Sequence, residues 1–225
     1  MNRALGRNSA FPDGAVRQWR ASCPQMHKIF GRARAVAALF AALAATSTQA
    51  AEIASPHTFT FYSGRISAEP TWHDVLLKPY STNYTEAYLI AASYTTAYRE
   101  HFDGALRMEY EVNVAYNFGD QDYWELNVAP LTFRWQRFPW SNTLNTTVAF
   151  GLGLSYAFEY PEIERRLEND TQQLLLFWEL EMTAGPRDGP WSAVVRLHHR
   201  SPGWGVMGIA DGGMNAPSVG FRYEF

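Results

Sequence analysis

Near the end of the chain, the run Arg196-Leu-His-His-Arg-Ser201 sets an imidazole two positions before a hydroxyl. The residues leading into it, Trp191-Ser-Ala-Val-Val195, alternate large and small side chains as a strand does. Continuing that alternation puts His199 and Ser201 on the face of Ala193, Val195 and Leu197, with Arg196, His198 and Arg200 on the other face. Two positions apart on one strand face, the imidazole can reach the hydroxyl. It can take the serine proton as the oxygen attacks an ester carbonyl. A third group must hold the ring in the tautomer that accepts this proton. The same pair also reads as polar decoration at the rim of a sheet, and what the face touches decides between the two.

The elements that must position these residues repeat with a period of two. In Leu106–Phe118 every even position is apolar or aromatic, and the odd ones include Arg107, Glu109, Glu111, Asn113 and Asn117. In Val148–Tyr160 large residues again hold the even positions. Both runs are longer than an ordinary strand of about five or six residues and suit the roughly 9–11 residues of a tilted membrane-crossing strand. Strands are predicted at 57–67, 86–99, 105–118, 122–136, 146–160, 172–184, 191–201 and 216–225, with a bulge where Ala129-Pro130-Leu131 breaks phase. The expected fold is all-β, an eight-stranded antiparallel transmembrane β-barrel spanning residues 51–225, which closes the sheet so that no edge meets lipid. A soluble sandwich would alternate too, but strands of this length with 15% aromatic residues favour the barrel.

The segments at 100–104, 137–145 and 185–190 read as short turns facing the periplasm, and those at 68–85, 161–171 and 202–215 as outward loops. Odd-numbered strands then run outward, and Ser201 reaches the outer rim. There His199 and Ser201 would face the outer leaflet, made of lipid A in a Gram-negative outer membrane. The closing Val-Gly-Phe-Arg-Tyr-Glu-Phe225 resembles the terminal strand by which the outer-membrane assembly machinery recognises its substrates.

The N-terminal region reads differently. Lys28, Arg32 and Arg34 precede the apolar run Ala35–Ala45, and Thr46–Ala50 is rich in small residues. That is the pattern of a secretory signal peptide over 26–50, cleaved after Ala50, with 1–25 an extension from a misassigned start. The single cysteine, Cys23, falls within that extension, so no disulfide or thiolate chemistry is expected. Seven of the 19 basic residues but one of the 22 acidic ones precede residue 51, leaving 12 and 21, a net of −9 that argues against nucleic acid as a partner. His57, His73 and His101 have no metal-ligand spacing, and no phosphate-binding loop is present, so neither metal nor cofactor is expected.

The His-x-Ser at the end of the penultimate strand resembles the lipid A 3-O-deacylase (PagL-like) family, eight-stranded outer-membrane esterases with a Ser-His-Glu triad on the lipid-facing wall. The resemblance is specific over the last 35 or so residues. It implies Ser201 as nucleophile and His199 as base in the hydrolysis of an ester-linked acyl chain of lipid A, without cofactor. The family's glutamate stands at the start of the last strand, after an Asp-Gly; here that stretch reads Ala-Asp-Gly-Gly-Met-Asn-Ala-Pro, and Asn215 matches best. Asn215 shares the outward phase of Val219 and Phe221. It can orient a histidine but brings no charge to an imidazolium. Asp211, Asp170 and Glu168 are the alternative third members. Gly203 is the expected oxyanion donor, since Pro202 has no N–H.

Three rival readings remain. A non-enzymatic barrel for adhesion or envelope stability would retain the scaffold without the glutamate. A lipid A acyltransferase would need an apolar lumen, which the inward acids oppose. An interior pore or ligand site is opposed by the small bore of eight strands. Instead, His198, Arg196 and Arg200 should meet Glu109, Glu111, Glu179 and Glu181 as an ion-pair network in the lumen. Trp124, Trp135, Trp140, Trp178 and Trp191 read as interfacial girdle residues. Trp204 and Met207, just after the motif, could flank an acyl chain or shield the loop.

Overall fold

The computed structural model describes residues 57–69, 71–168, 170–208 and 212–225. The expected extension with Cys23, the expected signal peptide, and Asp211 lie outside them. The chain runs β1 (His57–Ser67), α1 (Trp72–Leu77), β2 (Tyr84–His101), β3 (Leu106–Gly119), β4 (Tyr123–Trp135), β5 (Leu144–Ala157), α2 (Glu162–Glu168), β6 (Leu174–Pro186), β7 (Trp191–Ser201) and β8 (Met214–Glu224). The strands form one closed barrel in sequence order, with every neighbouring pair antiparallel. β8 closes on β1 from Thr58–Glu224 to Gly64–Ser218.

The period of two becomes an inside and an outside. On β3 the even positions Tyr110, Val112 and Val114 are exposed, whereas Glu109, Glu111 and Asn113 are buried in the lumen. The apolar outer wall and polar interior are those of a barrel that crosses a membrane. The expected break at Ala129-Pro130 is a register shift between Val128 and Leu131, where proline has no N–H for the ladder. Across it, a Cβ on Gly153 would stand 1.8 Å from the Val128 carbonyl, so only glycine lets the bulged strand approach this closely.

The lumen is filled by ion pairs. Arg196 lies 2.6 Å from Glu111 and 2.5 Å from Glu179, and also pairs with Glu181. Arg134 binds Glu109 and Glu181, and Arg200 reaches Glu164 of α2 at 2.7 Å. Each charge is taken from water but paired, the condition under which burial of charge is tolerated.

The outward connection between β3 and β4, residues 120–122, is a tight turn, as the predicted strands 105–118 and 122–136 imply. Two features depart from the sequence expectation. The long loops carry two short helices without the span for a helical period to be read, α1 after β1 and α2 after β5. α2 dips into the barrel mouth, where Ile163 joins Ile66, Leu89, Met214 and Ala216 in an apolar cluster. Finally, β8 begins at Met214 rather than 216, which places Asn215 inside the ladder.

Candidate functional site

The register of three strands assembles the site. On β7, His199 pairs with Trp178 of β6 on one side and with Asn215 of β8 on the other. Paired residues of adjacent strands share a face, so all three side chains stand abreast on the outer wall. Ser201 follows on that face two positions along β7, opposite Leu176.

The contacts fix the chemistry of the ring. The Asn215 side-chain nitrogen Nδ2 donates to the Glu69 carbonyl at 3.3 Å, and its Oδ1 lies 2.7 Å from His199 Nδ1. A backbone carbonyl can only accept, so it must face the amide nitrogen, and Oδ1 is left to face the imidazole. The His199 proton is therefore on Nδ1, and Nε2 carries the lone pair that a base needs. One neutral amide thus selects the tautomer a serine nucleophile requires. Trp178 covers the other side of the ring, its centroid 4.3 Å from that of His199. Trp72 of α1 meets Trp178 edge-on at 5.7 Å.

The loop from β1 to β2 is folded down over the wall. His199 faces outward as its phase requires, yet it is only 6% exposed. Sequence phase sets the direction of the side chain but not its surroundings, because Glu69, which holds Asn215, and Trp72, which meets Trp178, lie in a loop without periodicity.

Beside His199 and Ser201 opens a cleft of about 920 Å³. Phe150, Leu152, Leu176 and Leu180 form its apolar floor, while His199, Ser201, Gly203 and Asn215 border it on the β7–β8 side. Gly203 has φ +60°, and a Cβ there would stand 2.3 Å from Leu176 Cδ1, so the turn after Ser201 is tied to glycine. Among the described residues no backbone acceptor takes up the Gly203 N–H.

The other sequence candidates separate cleanly. Glu168 borders the same cleft, at the α2 end. Asp170 instead accepts the N–H of Thr171 at 2.8 Å, within its own loop. His198 points into the lumen, 2.9 Å from Tyr62 Oη and 2.9 Å from Glu125. Trp124, Trp135, Trp140 and Trp191 are exposed on the outer surface, as girdle residues are. Trp178 is not one of them: it packs on His199 and lines the cleft. Its position directly across the ladder from His199 is the signal that a register prediction would have supplied. Trp204 also lines the cleft, at 99% exposure, whereas Met207 is half-buried and lies outside that lining.

Burial pushes the α2 carboxyl of Glu164 up to about 7, against the opposing pull of the Arg200 guanidinium.

No protein-family model matches the sequence. No curated protein matches it either. Among solved structures the chain is similar to the outer membrane enzyme PagL, with a TM-score of 0.51 at 12% identity over 75% of this chain and 99% of that one. It is also similar to Neisserial surface protein A (NspA), with a TM-score of 0.46 at 11% identity over 77% of this chain and 100% of that one. At these identities the likeness is one of fold, and the fold is that of an eight-stranded outer-membrane barrel.

Proposed function

We propose that the chain is an outer-membrane ester hydrolase of the lipid A deacylase kind, which removes an ester-linked acyl chain from lipid A by a serine–histidine mechanism. The observation that carries this reading is the hydrogen bond from Nδ1 of His199 to Asn215, which leaves Nε2 basic on the wall that holds Ser201. The apolar cleft beside them suits an acyl chain better than a polar ligand.

In the proposed reaction Ser201 Oγ attacks the ester carbonyl carbon while His199 Nε2 takes its proton. Gly203 N–H is the donor proposed for the carbonyl oxygen as it becomes an oxyanion. Collapse of the tetrahedral intermediate breaks the bond to the sugar oxygen, which leaves with the proton from His199. Water then attacks the acyl-serine, again losing a proton to His199, and the free acid departs as Ser201 is restored.

A second reading is retained on one observation. The group that holds His199 is a neutral amide, so the site would also suit a non-enzymatic barrel that keeps the scaffold. Refolded barrels in micelles, treated with an alkyl fluorophosphonate and analysed by peptide mass spectrometry, separate the two. The hydrolase reading expects the adduct on Ser201 in wild type and none in His199→Gln. A folded wild type that takes up no label would leave the non-enzymatic barrel standing.

A further inference from the structure

The neutral partner poses an electrostatic problem, and its answer stands on the neighbouring strand. Each half of the proposed reaction passes through a His199 imidazolium. Asn215 Oδ1 orients that ring with a partial charge only, and among the described residues no carboxylate forms an ion pair with it. The ring lies within a wall that excludes water, so an uncompensated cation is costly there. Trp178 lies directly across the ladder with its ring centroid 4.3 Å from that of His199 and the two planes 34° apart. A cation within about 6 Å of an indole centroid is attracted by the negative face of the ring, more strongly where water is excluded. The indole is itself met by the Trp72 ring, with centroids 5.7 Å apart and planes at 89°.

We propose that Trp178 is a positioning residue that supplies, through the face of its indole, the electrostatic support for the His199 cation that Asn215 cannot give. This rests on the hydrolase reading above. It assigns to an aromatic on the sixth strand part of the work that an acid does beside other catalytic histidines, and it gives Trp72 the role of fixing the indole's tilt. The support acts only when the ring is charged, so it favours the transition state over the resting enzyme.

The test drains the π-face without changing its shape. Tryptophan analogues carrying one to four ring fluorines, placed at position 178 by codon suppression, keep the indole's packing while weakening its quadrupole. The rate of Ser201 labelling by the fluorophosphonate is read for each, alongside Trp178→Phe and Trp178→Leu. The proposal expects the logarithm of the rate to fall stepwise with fluorine number, by about 3- to 30-fold in all. Phenylalanine should retain more activity than leucine. A rate that is flat across the fluorinated series, with the leucine variant slow, would make Trp178 a space-filler and overturn the assignment while leaving the hydrolase reading intact. A folded wild type that never labels would overturn both.

Discussion

Replacing Asn215 by aspartate should make the site faster, and by leucine slower. The carboxylate is almost the same shape as the amide and keeps an oxygen beside Nδ1, where Oδ1 now lies at 2.7 Å. Opposite unit charges about 4 Å apart interact by about 4 kcal/mol at an effective dielectric near 20. Most of that is offset by the cost of holding the carboxylate out of water, for Asn215 is 3% exposed. A net of about 1.4 kcal/mol in favour of the imidazolium is a tenfold gain in rate. The substitution also exchanges the amide that donates to the Glu69 carbonyl at 3.3 Å for a group that cannot donate when ionised. Leaving that acceptor unpaired costs about 1–3 kcal/mol, and the cost falls on the loop between β1 and β2. Asn215→Leu fills the space but abandons the tautomer, and should slow the reaction about 100-fold. The assay is the rate of fluorophosphonate labelling of Ser201, with limited proteolysis of the 68–83 segment as the readout of loop release. If aspartate and leucine are equally slow, the amide's work is to hold the loop, and the argument from tautomer and charge is wrong.

Other parts of the barrel should respond in proportion to burial. Arg196→Met strands Glu111 and Glu179 in the lumen, while Glu181 keeps Arg134, and should destabilise the barrel by about 3–5 kcal/mol in urea unfolding from micelles, whereas Glu86→Gln, which breaks an exposed ion pair with Arg65, should cost under about 1 kcal/mol. Glu164 binds its proton more tightly in the folded mouth than in an open one; its contribution is therefore full below about pH 4.5 and is lost as the pH rises through about 7. Hydrogen exchange of the α2 amides should accordingly show opening that grows across that window, and Glu164→Gln should remove the trend. Gly203→Ala places a Cβ against Leu176 at a backbone angle alanine resists, so Ser201 labelling should fall at least tenfold while the barrel still shifts on heating in gel electrophoresis.

What was legible in the sequence follows from where a short period reigns. Strand alternation reports face and length, so β1 and β7 fall where alternation puts them, and His199 and Ser201 fall on the outer wall. Alternation also separated His198 from His199, which end on opposite sides of one strand. It says nothing about which residue lies across the ladder, and so Trp178 read as one more girdle tryptophan. Nor does it reach the loops, where Glu69 and Trp72 complete the site by long-range contact. Asn215 could be placed by phase, but its hydrogen bond depends on β8 starting two residues earlier than the pattern alone indicates.

Mass spectrometry of lipid A decides whether Ser201 and His199 hydrolyse one of its acyl esters. The samples come from cells expressing the wild type, Ser201→Ala and His199→Ala at equal levels in the outer membrane. Lipid A from the wild type alone should lose the mass of one ester-linked acyl chain. Unchanged lipid A in all three strains, with the barrel folded in the membrane, would contradict the hydrolase reading.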